Sequence, residues 1–248
     1  MSAAIIAGGG WYWSARSNAT AAAQPYTPTG PGDIYVALGD SLAAGFIVSD
    51  RQAAYVAQIT QALQQQNDAI TVHNFGVPGE TSASMLRRQL PQAVEFITTQ
   101  RAAGKRISPI TLDIGGNDGT AVARASDETR RRALAAIEAN IDTALAQLVE
   151  ATTENGERTS DIAIMTYYNP FSGDVADQTT QAYWADQLNQ TIVRVAERHG
   201  VAVADVATPF AGGNVYRYTY LANGDVHAND AGHGVIAQQF LDALGYNE

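Results

Sequence analysis

From residue 33 onward, short apolar runs rich in β-branched residues alternate with long segments whose apolar positions recur every three or four residues. That alternation limits what the chain can fold into. The short runs are Ile34–Leu38, Ile70–Asn74, Ile110–Ile114, Ile162–Thr166 and Val201–Asp205. Each is mostly apolar and bounded by Gly, Pro, Asn or Asp, as expected of strands buried in a parallel sheet. The helical spacing is clearest in Leu134, Ile137, Ile141, Leu145 and Leu148, and again in Trp184, Leu188, Ile192 and Val195. Each stripe is expected to lie against the sheet. A further helix is expected around Ala53–Gln66, and the pattern Val235, Ile236, Phe240, Leu241 and Leu244 closes the chain. Five strands alternating with helices need right-handed crossovers and predict a three-layer α/β/α sandwich around a five-stranded, mostly parallel sheet. A chain of 248 residues that is 46% hydrophobic can fill such a core.

The first 32 residues have a different texture. Ala3 to Trp13 is an apolar run containing glycines, and Ala21 to Pro31 is rich in small residues and Pro. About eleven residues are too few for a bilayer that needs ~20, and no Lys or Arg precedes the run. Residues 1–32 therefore read as a clipped signal peptide or the end of a membrane anchor, followed by a tether, in preference to a cytoplasmic tail. The expectation is an exported protein, secreted or surface-tethered, whose single domain occupies residues 33–248 as a monomer. The formal charge of −10 has the wrong sign for gripping phosphate backbones, so nucleic acid is not an expected partner. The absence of Cys excludes thiolate catalysis and cysteine-ligated metal sites.

In a parallel α/β sheet, ligands bind beyond the carboxyl ends of the strands. Gly39-Asp40-Ser41-Leu42 follows the first strand, and Asn74-Phe75-Gly76-Val77-Pro78-Gly79-Glu80-Thr81 closes the second and continues past it. Gly115-Gly116-Asn117-Asp118 follows the third, and Asp225-Val226-His227-Ala228-Asn229-Asp230 comes after the fifth strand and a loop of about twenty residues. One rim thus offers a serine, a histidine, carboxylates, an asparagine and turn glycines. A serine hydroxyl becomes a nucleophile when an imidazole takes its proton, and a carboxylate commonly fixes the imidazole tautomer. Ser41 and His227 fit the first two parts. The oxyanion of an acyl-transfer intermediate needs preorganised donors, and Asn117, the Gly79 N–H and the Ser41 N–H are the candidates.

Other motifs fail. The G-x-S-x-G elbow needs Gly where Ala43 stands, and Phe46 occupies the place of the Lys that a phosphate-binding loop requires. No dinucleotide fingerprint follows the first strand. His227 and His233 are six apart, against four in a helical zinc pair, so neither cofactor nor metal is implied.

Taken together and in this order, the Ser41, Gly79, Asn117 and His227 segments resemble the four blocks of the SGNH (GDSL-type) hydrolase family, from about Asp33 to Gly245. The fit around Ser41–Gly45 and Gly79–Thr81 is closest to bacterial secreted esterase/lipase-like members. The resemblance implies the flavodoxin-like SGNH fold and metal-independent cleavage of carboxylic esters through an acyl-enzyme. Ser41 would be the nucleophile and His227 the general base, with Ser41, Gly79 and Asn117 forming the oxyanion hole. Two positions depart from the family pattern. Its Asp usually stands three residues before the His, where this chain has Gly224; the available carboxylate is Asp225, two before. Residues two apart share a face only in extended backbone, so Asp225 is expected to complete a triad only if this segment is extended, and otherwise a Ser–His dyad remains. Ala228 replaces the usual Pro.

Substrate choice is expected in the loops over the rim. Tyr167-Tyr168-Asn169-Pro170-Phe171 follows the fourth strand and offers walls for an acyl or sugar pocket. Tyr216, Tyr218 and Tyr220 alternate as on one face of a small hairpin. No long apolar lid is visible, which favours short acyl chains or acetylated carbohydrate as the ester substrate. The same residues also suit an acyltransferase, or a non-catalytic carbohydrate- or cell-wall-binding domain. Gly76 reads as a turn glycine, Asp230 as a first-turn helix charge, His233 as a packing residue, His73 as a strand residue and His199 as a helix C-terminal residue.

Overall fold

The computed structural model describes residues 26–246. Along the chain the elements are β1 (Ile34–Gly39), α1 (Tyr55–Gln66), β2 (Thr71–Asn74), α2 (Ser82–Arg87), α3 (Gln89–Ala102), β3 (Ile107–Asp113), α4 (Gly116–Val122) and α5 (Asp127–Ala151). A small hairpin of β4 (Thr153–Glu154) and β5 (Glu157–Arg158) follows, then β6 (Ile162–Met165), α6 (Gln181–His199), β7 (Ala202–Ala204), α7 (Asn214–Tyr218) and α8 (Asp230–Leu244). The main sheet has five strands in the order β2-β1-β3-β6-β7, all pairs parallel. This is the α/β sandwich that the alternation predicts.

Strand pleat divides the core in two. Tyr35 and Ala37 of β1 pack with Ile59 and Leu63 of α1 and Ile236 and Phe240 of α8. Ile34, Val36 and Leu38 point the other way, toward Ile97 of α3, Ile141 and Leu145 of α5 and Ile192 of α6. Helix starts follow capping chemistry. Ser126 accepts from the Thr129 N–H, Thr180 from the Tyr183 N–H and Asn229 from the Gly232 N–H, each satisfying a donor that the first turn leaves open.

Three strand expectations change. The third strand begins at Ile107, three residues early, because a register shift in the β1–β3 ladder between Ile34 and Val36 accommodates Pro109, which has no N–H to donate. The second strand is not buried: Thr71–Asn74 are all exposed, since β2 is an edge strand paired only with β1, and the buried residue is Ile70 just before it. The fifth shortens to Ala202–Ala204. The last residues of the expected tether are folded. The Asp161 carboxylate, 1% exposed, accepts from the Thr29 and Gly30 N–H groups at 2.8 Å each and from the Tyr246 hydroxyl at 2.6 Å, fastening both ends of the described chain to one buried group. Residues 26–32 thus belong to the folded body. The apolar run Ala3–Trp13 and residues 21–25 of the small-residue stretch lie outside the described residues.

Leu145 is fully buried between α5 and the sheet. Leu145→Ala is expected to cost about 2–5 kcal/mol. For a chain of this length that lowers Tm by roughly 4–20 °C, as a thermal melt followed by circular dichroism would register.

Candidate active site

The turn that carries Ser41 is set by its neighbours. At the end of β1, Gln89 reads both peptide groups of Gly39: its Oε1 accepts from the Gly39 N–H at 2.8 Å and its Nε2 donates to the Gly39 carbonyl at 2.9 Å. Gly39 has φ +154°, and a Cβ there would sit 1.6 Å from Asp113 Oδ1, so only glycine fits. Beyond it the chain coils at once, with the Ala44 N–H donating to the Asp40 carbonyl (3.1 Å) and the Phe46 N–H to the Ser41 carbonyl (2.9 Å). Ser41 is left 7% exposed at the edge of a cavity of about 150 Å³ that Asn117, Tyr167 and His227 also line.

His227 arrives from the far side of the sheet's rim. Its segment is pinned by the Tyr168 hydroxyl, which donates to the Val226 carbonyl (2.7 Å), and by a bridge between Thr219 and the fully buried Ala228. The His227 Nε2 lies 2.9 Å from Ser41 Oγ, and Nδ1 lies 2.6 Å from Asp225 Oδ1. With Nδ1–H donated to the carboxylate, Nε2 presents its lone pair to the serine hydroxyl. The segment belongs to no regular element. Asp225 reaches the ring because the same Oδ1 also accepts the His227 backbone N–H at 2.9 Å, an Asx-type turn that folds the side chain over its second neighbour. That N–H, and then the ring, hold the Asp225 carboxyl below its ordinary pKa. The Phe46 ring lies 5.0 Å from the imidazole.

Asn117 sits in the first turn of α4. Its Nδ2 donates to the Glu80 carbonyl at 2.8 Å, joining the Gly79 turn to the α4 terminus, and its second hydrogen has only a 3.5 Å approach to Asp40 Oδ2. Asp118 reinforces the join by accepting from the Ser82 N–H (2.8 Å) and hydroxyl (2.7 Å). Among the described residues neither the Ser41 N–H nor the Gly79 N–H has a hydrogen-bond partner. Gly79, at φ +79°, is adjacent to the residue that Asn117 holds, although it does not line the cavity itself.

The remaining sequence candidates separate clearly. Tyr167, Tyr168, Pro170 and Phe171 line the cavity. Tyr216 and Tyr218 are on α7 and not in a hairpin, because the segment closes hydrogen bonds of helical spacing; Tyr216 is exposed, and Tyr218 packs on Phe210. His233 is buried and pushed down to about 4 by that burial, with Nδ1 accepting the Tyr55 N–H. His199 meets Asp142 at 3.0 Å, and His73 stacks on Phe96. Asp230 accepts from the Ser49 N–H and hydroxyl, tying the loop after Ser41 to α8. Gly76 is a close-approach glycine, its Cβ position 2.5 Å from the Ala44 nitrogen.

One part of the site escaped the sequence reading. Asp40 (3% exposed) and Asp113 (fully buried) lie side by side at the ends of β1 and β3, and among the described residues no Lys or Arg forms an ion pair with either. Asp113 takes the Tyr55 hydroxyl (3.0 Å) and approaches the Asp40 and Ala43 N–H groups at 3.4 and 3.3 Å; Asp40 takes the Leu42 N–H and the Tyr167 hydroxyl, each at 2.9 Å. Burial raises both pKa values, and the Asp40 charge raises that of Asp113 further, so the pair keeps one proton. A single Asp in the otherwise apolar run Ile110–Ile114 was the available signal. A proton held in the folded state and released from an unfolded carboxyl near pH 4 gives a contribution complete below that pH and lost as pH rises through the folded value. Asp113→Asn keeps the shape without the ionisation. Its Tm relative to wild type is therefore expected to climb as pH is raised from about 5 to about 9 in parallel melts, whereas a constant difference would contradict the shared proton.

Comparison with curated protein sequences gives no match. Among solved structures, the chain is similar to Axe2, an acetylxylan esterase from Geobacillus stearothermophilus, with 20% identity, TM-score 0.62, and coverage of 88% of this chain and 97% of that one. Structures of Axe2 include catalytic mutants in which a serine, a histidine or an aspartate is replaced by alanine. It is also similar to LAE5, an α/β hydrolase enzyme from the metagenome of Lake Arreo, Spain, with 21% identity, TM-score 0.59 and coverage of 88% and 98%. These likenesses establish the fold. The profile of the GDSL-like lipase/acylhydrolase family matches residues 37–235, a span that runs from β1 through the Ser41, Asn117 and His227 segments into α8, and the chain belongs to that family of ester-cleaving serine hydrolases.

Proposed function

We propose that this enzyme hydrolyses carboxylic esters through an acyl-enzyme on Ser41, with His227 as general base and Asp225 as the group that orients and charges-balances it. The observation that carries the reading is the continuous line from Asp225 Oδ1 to His227 Nδ1 (2.6 Å) and from Nε2 to Ser41 Oγ (2.9 Å).

As Ser41 Oγ bonds to the ester carbonyl carbon, its proton passes to Nε2 and the carbonyl π electrons move to oxygen. The imidazolium so formed is stabilised by Asp225 and by the single negative charge on the Asp40–Asp113 pair. The new oxyanion is received by the Ser41 and Gly79 N–H groups and by the Asn117 side-chain amide. Collapse expels the alcohol oxygen, which takes the proton from Nε2. Water then attacks the acyl-enzyme with the same proton route, releasing the acid and restoring Ser41. The buried Ser41 N–H lacks an intramolecular partner, which supports its donor assignment, since a buried N–H is ordinarily paired.

Steady-state hydrolysis of p-nitrophenyl butyrate tests the roles. Ser41→Ala is expected to abolish turnover. Asn117→Ala is expected to lower kcat by about 10²–10³-fold, and Asp225→Ala by about 10³-fold or more with KM little changed. Full activity in Ser41→Ala would overturn the reading. A loss below about tenfold in Asp225→Ala would reduce the triad to a Ser–His dyad.

A further inference from the structure

We infer that the acyl group this enzyme accepts best is an unbranched aliphatic chain of about six to eight carbons, held in a channel between α4, α5 and α6. The inference rests on the Ser41 reading above and names the substrate class of that site.

The cavity beside Ser41 does not stop at the reacting atoms. Three helices line it, α5 and α6 each through one face over two turns. From α4 come Gly116, Gly119, Thr120 and the cap residue Ala123; from α5, residues 130, 133, 134 and 137; from α6, residues 181, 184, 185 and 188. On α5 and α6 these positions continue the apolar stripes whose later turns enter the core. Trp184, expected against the sheet, walls the cavity instead, and Leu134 both packs on the core and lines the cavity. Seven residues at 1.5 Å rise give a wall about 10 Å long. An extended chain of 1.5 Å bonds advances about 1.25 Å per carbon, so the wall matches about eight carbons. The volume of about 150 Å³ sets a lower figure, since a dry apolar cavity of ~150 Å³ takes a six-carbon guest such as benzene. An acetyl methyl would leave most of this space empty.

The direction of the channel assigns it to the acyl side. The leaving alcohol must receive its proton from His227 Nε2 and therefore departs on that side. The channel instead runs past Asn117 along helices that hold no part of the Asp225–His227 segment. Its middle is mainly apolar, built from Ala133, Leu134, Ile137, Ala185 and Leu188, and the Thr120 hydroxyl there already donates to the Gly116 carbonyl at 2.9 Å. The far end is closed by the Arg130 and Gln181 side chains, where the buried Arg130 Nε and Trp184 Nε1 have no hydrogen-bond partner among the described residues. Arg130 Nη2 and Gln181 Nε2 both donate to the Ala123 carbonyl, at 2.7 and 3.0 Å, and the Arg130 guanidinium also meets Asp127 at 3.0 Å and covers the Trp184 ring at 5.5 Å. A longer chain would press its methyl end against this stopper.

The test is kcat/KM on p-nitrophenyl acetate, butyrate, hexanoate, octanoate, dodecanoate and palmitate, for wild type, Ala185→Phe and Arg130→Ala, with a thermal melt for each protein. Hexanoate or octanoate is expected to exceed both acetate and palmitate by about tenfold or more. Ala185→Phe, which fills the channel, is expected to lower the octanoate-to-acetate ratio by about tenfold or more, and Arg130→Ala to move the optimum to longer chains. Inhibition of wild type by alkylboronic acids of increasing length gives a reading that needs no variant, with affinity rising up to about a heptyl or octyl chain. Acetate as the fastest ester, a ratio unchanged in Ala185→Phe, or boronic acid affinity independent of length would overturn the inference and leave the Ser41 reading intact. Absence of Ser41-dependent hydrolysis on every ester would overturn both.

Discussion

Two carboxyl groups, Asp40 and Asp113, share one buried place at the carboxyl ends of adjacent parallel strands, and the site is arranged around them. Buried without a basic partner, they cannot both ionise at modest cost, so they hold a proton between them. Through backbone and hydroxyl donors the pair touches the Leu42 N–H, Tyr55 of α1 and Tyr167 beyond β6, with Asn117 of α4 at the edge of contact. It also dictates glycine at position 39, because Asp113 occupies the space of a Cβ there. Removing a partner from such a network leaves buried polar groups unmatched, which costs more than any one of its hydrogen bonds contributes.

Parallel strand order accounts for the rest of the convergence. With β1 and β3 adjacent and aligned, the residues that follow them, Ser41 and Asn117, emerge on the same rim, and the segment following β2 at the edge joins them through the Glu80 carbonyl. His227 is brought to the same place by a different device, the docking of α8 on α1 and β7 together with the Tyr168 hydroxyl on Val226. The nucleophile turn is therefore stiffened from beneath by the carboxyl pair, and the base is held from the opposite side.

The layered fold and the Ser41, Asn117 and His227 segments were legible in the sequence because hydrophobic period and turn residues are local signals. Leu145 and Ile192 lie on the sheet as their spacing predicts. What was not legible depends on geometry between segments. The exposed face of β2 follows from its edge position, and the early start of β3 from a register shift that no local pattern reports. Side-chain periodicity does not report the Asp225–His227 contact, because the chain makes it through a side-chain-to-backbone turn. The stripes on α5 and α6 imply core along their whole length, but Trp184 lines the cavity and Leu134 meets both cavity and core. Periodicity tells which residues share a helix face and not what that face meets.

The central claim is that Ser41 is an activated nucleophile. Incubation with a fluorophosphonate followed by intact-protein and peptide mass spectrometry tests it most directly, because the reagent forms a stable bond only to a serine whose proton a base removes. One phosphonyl adduct is expected, on the peptide that contains Ser41, formed much more slowly in His227→Ala. An unlabelled protein, or an adduct on another residue formed at the same rate in both proteins, would contradict it.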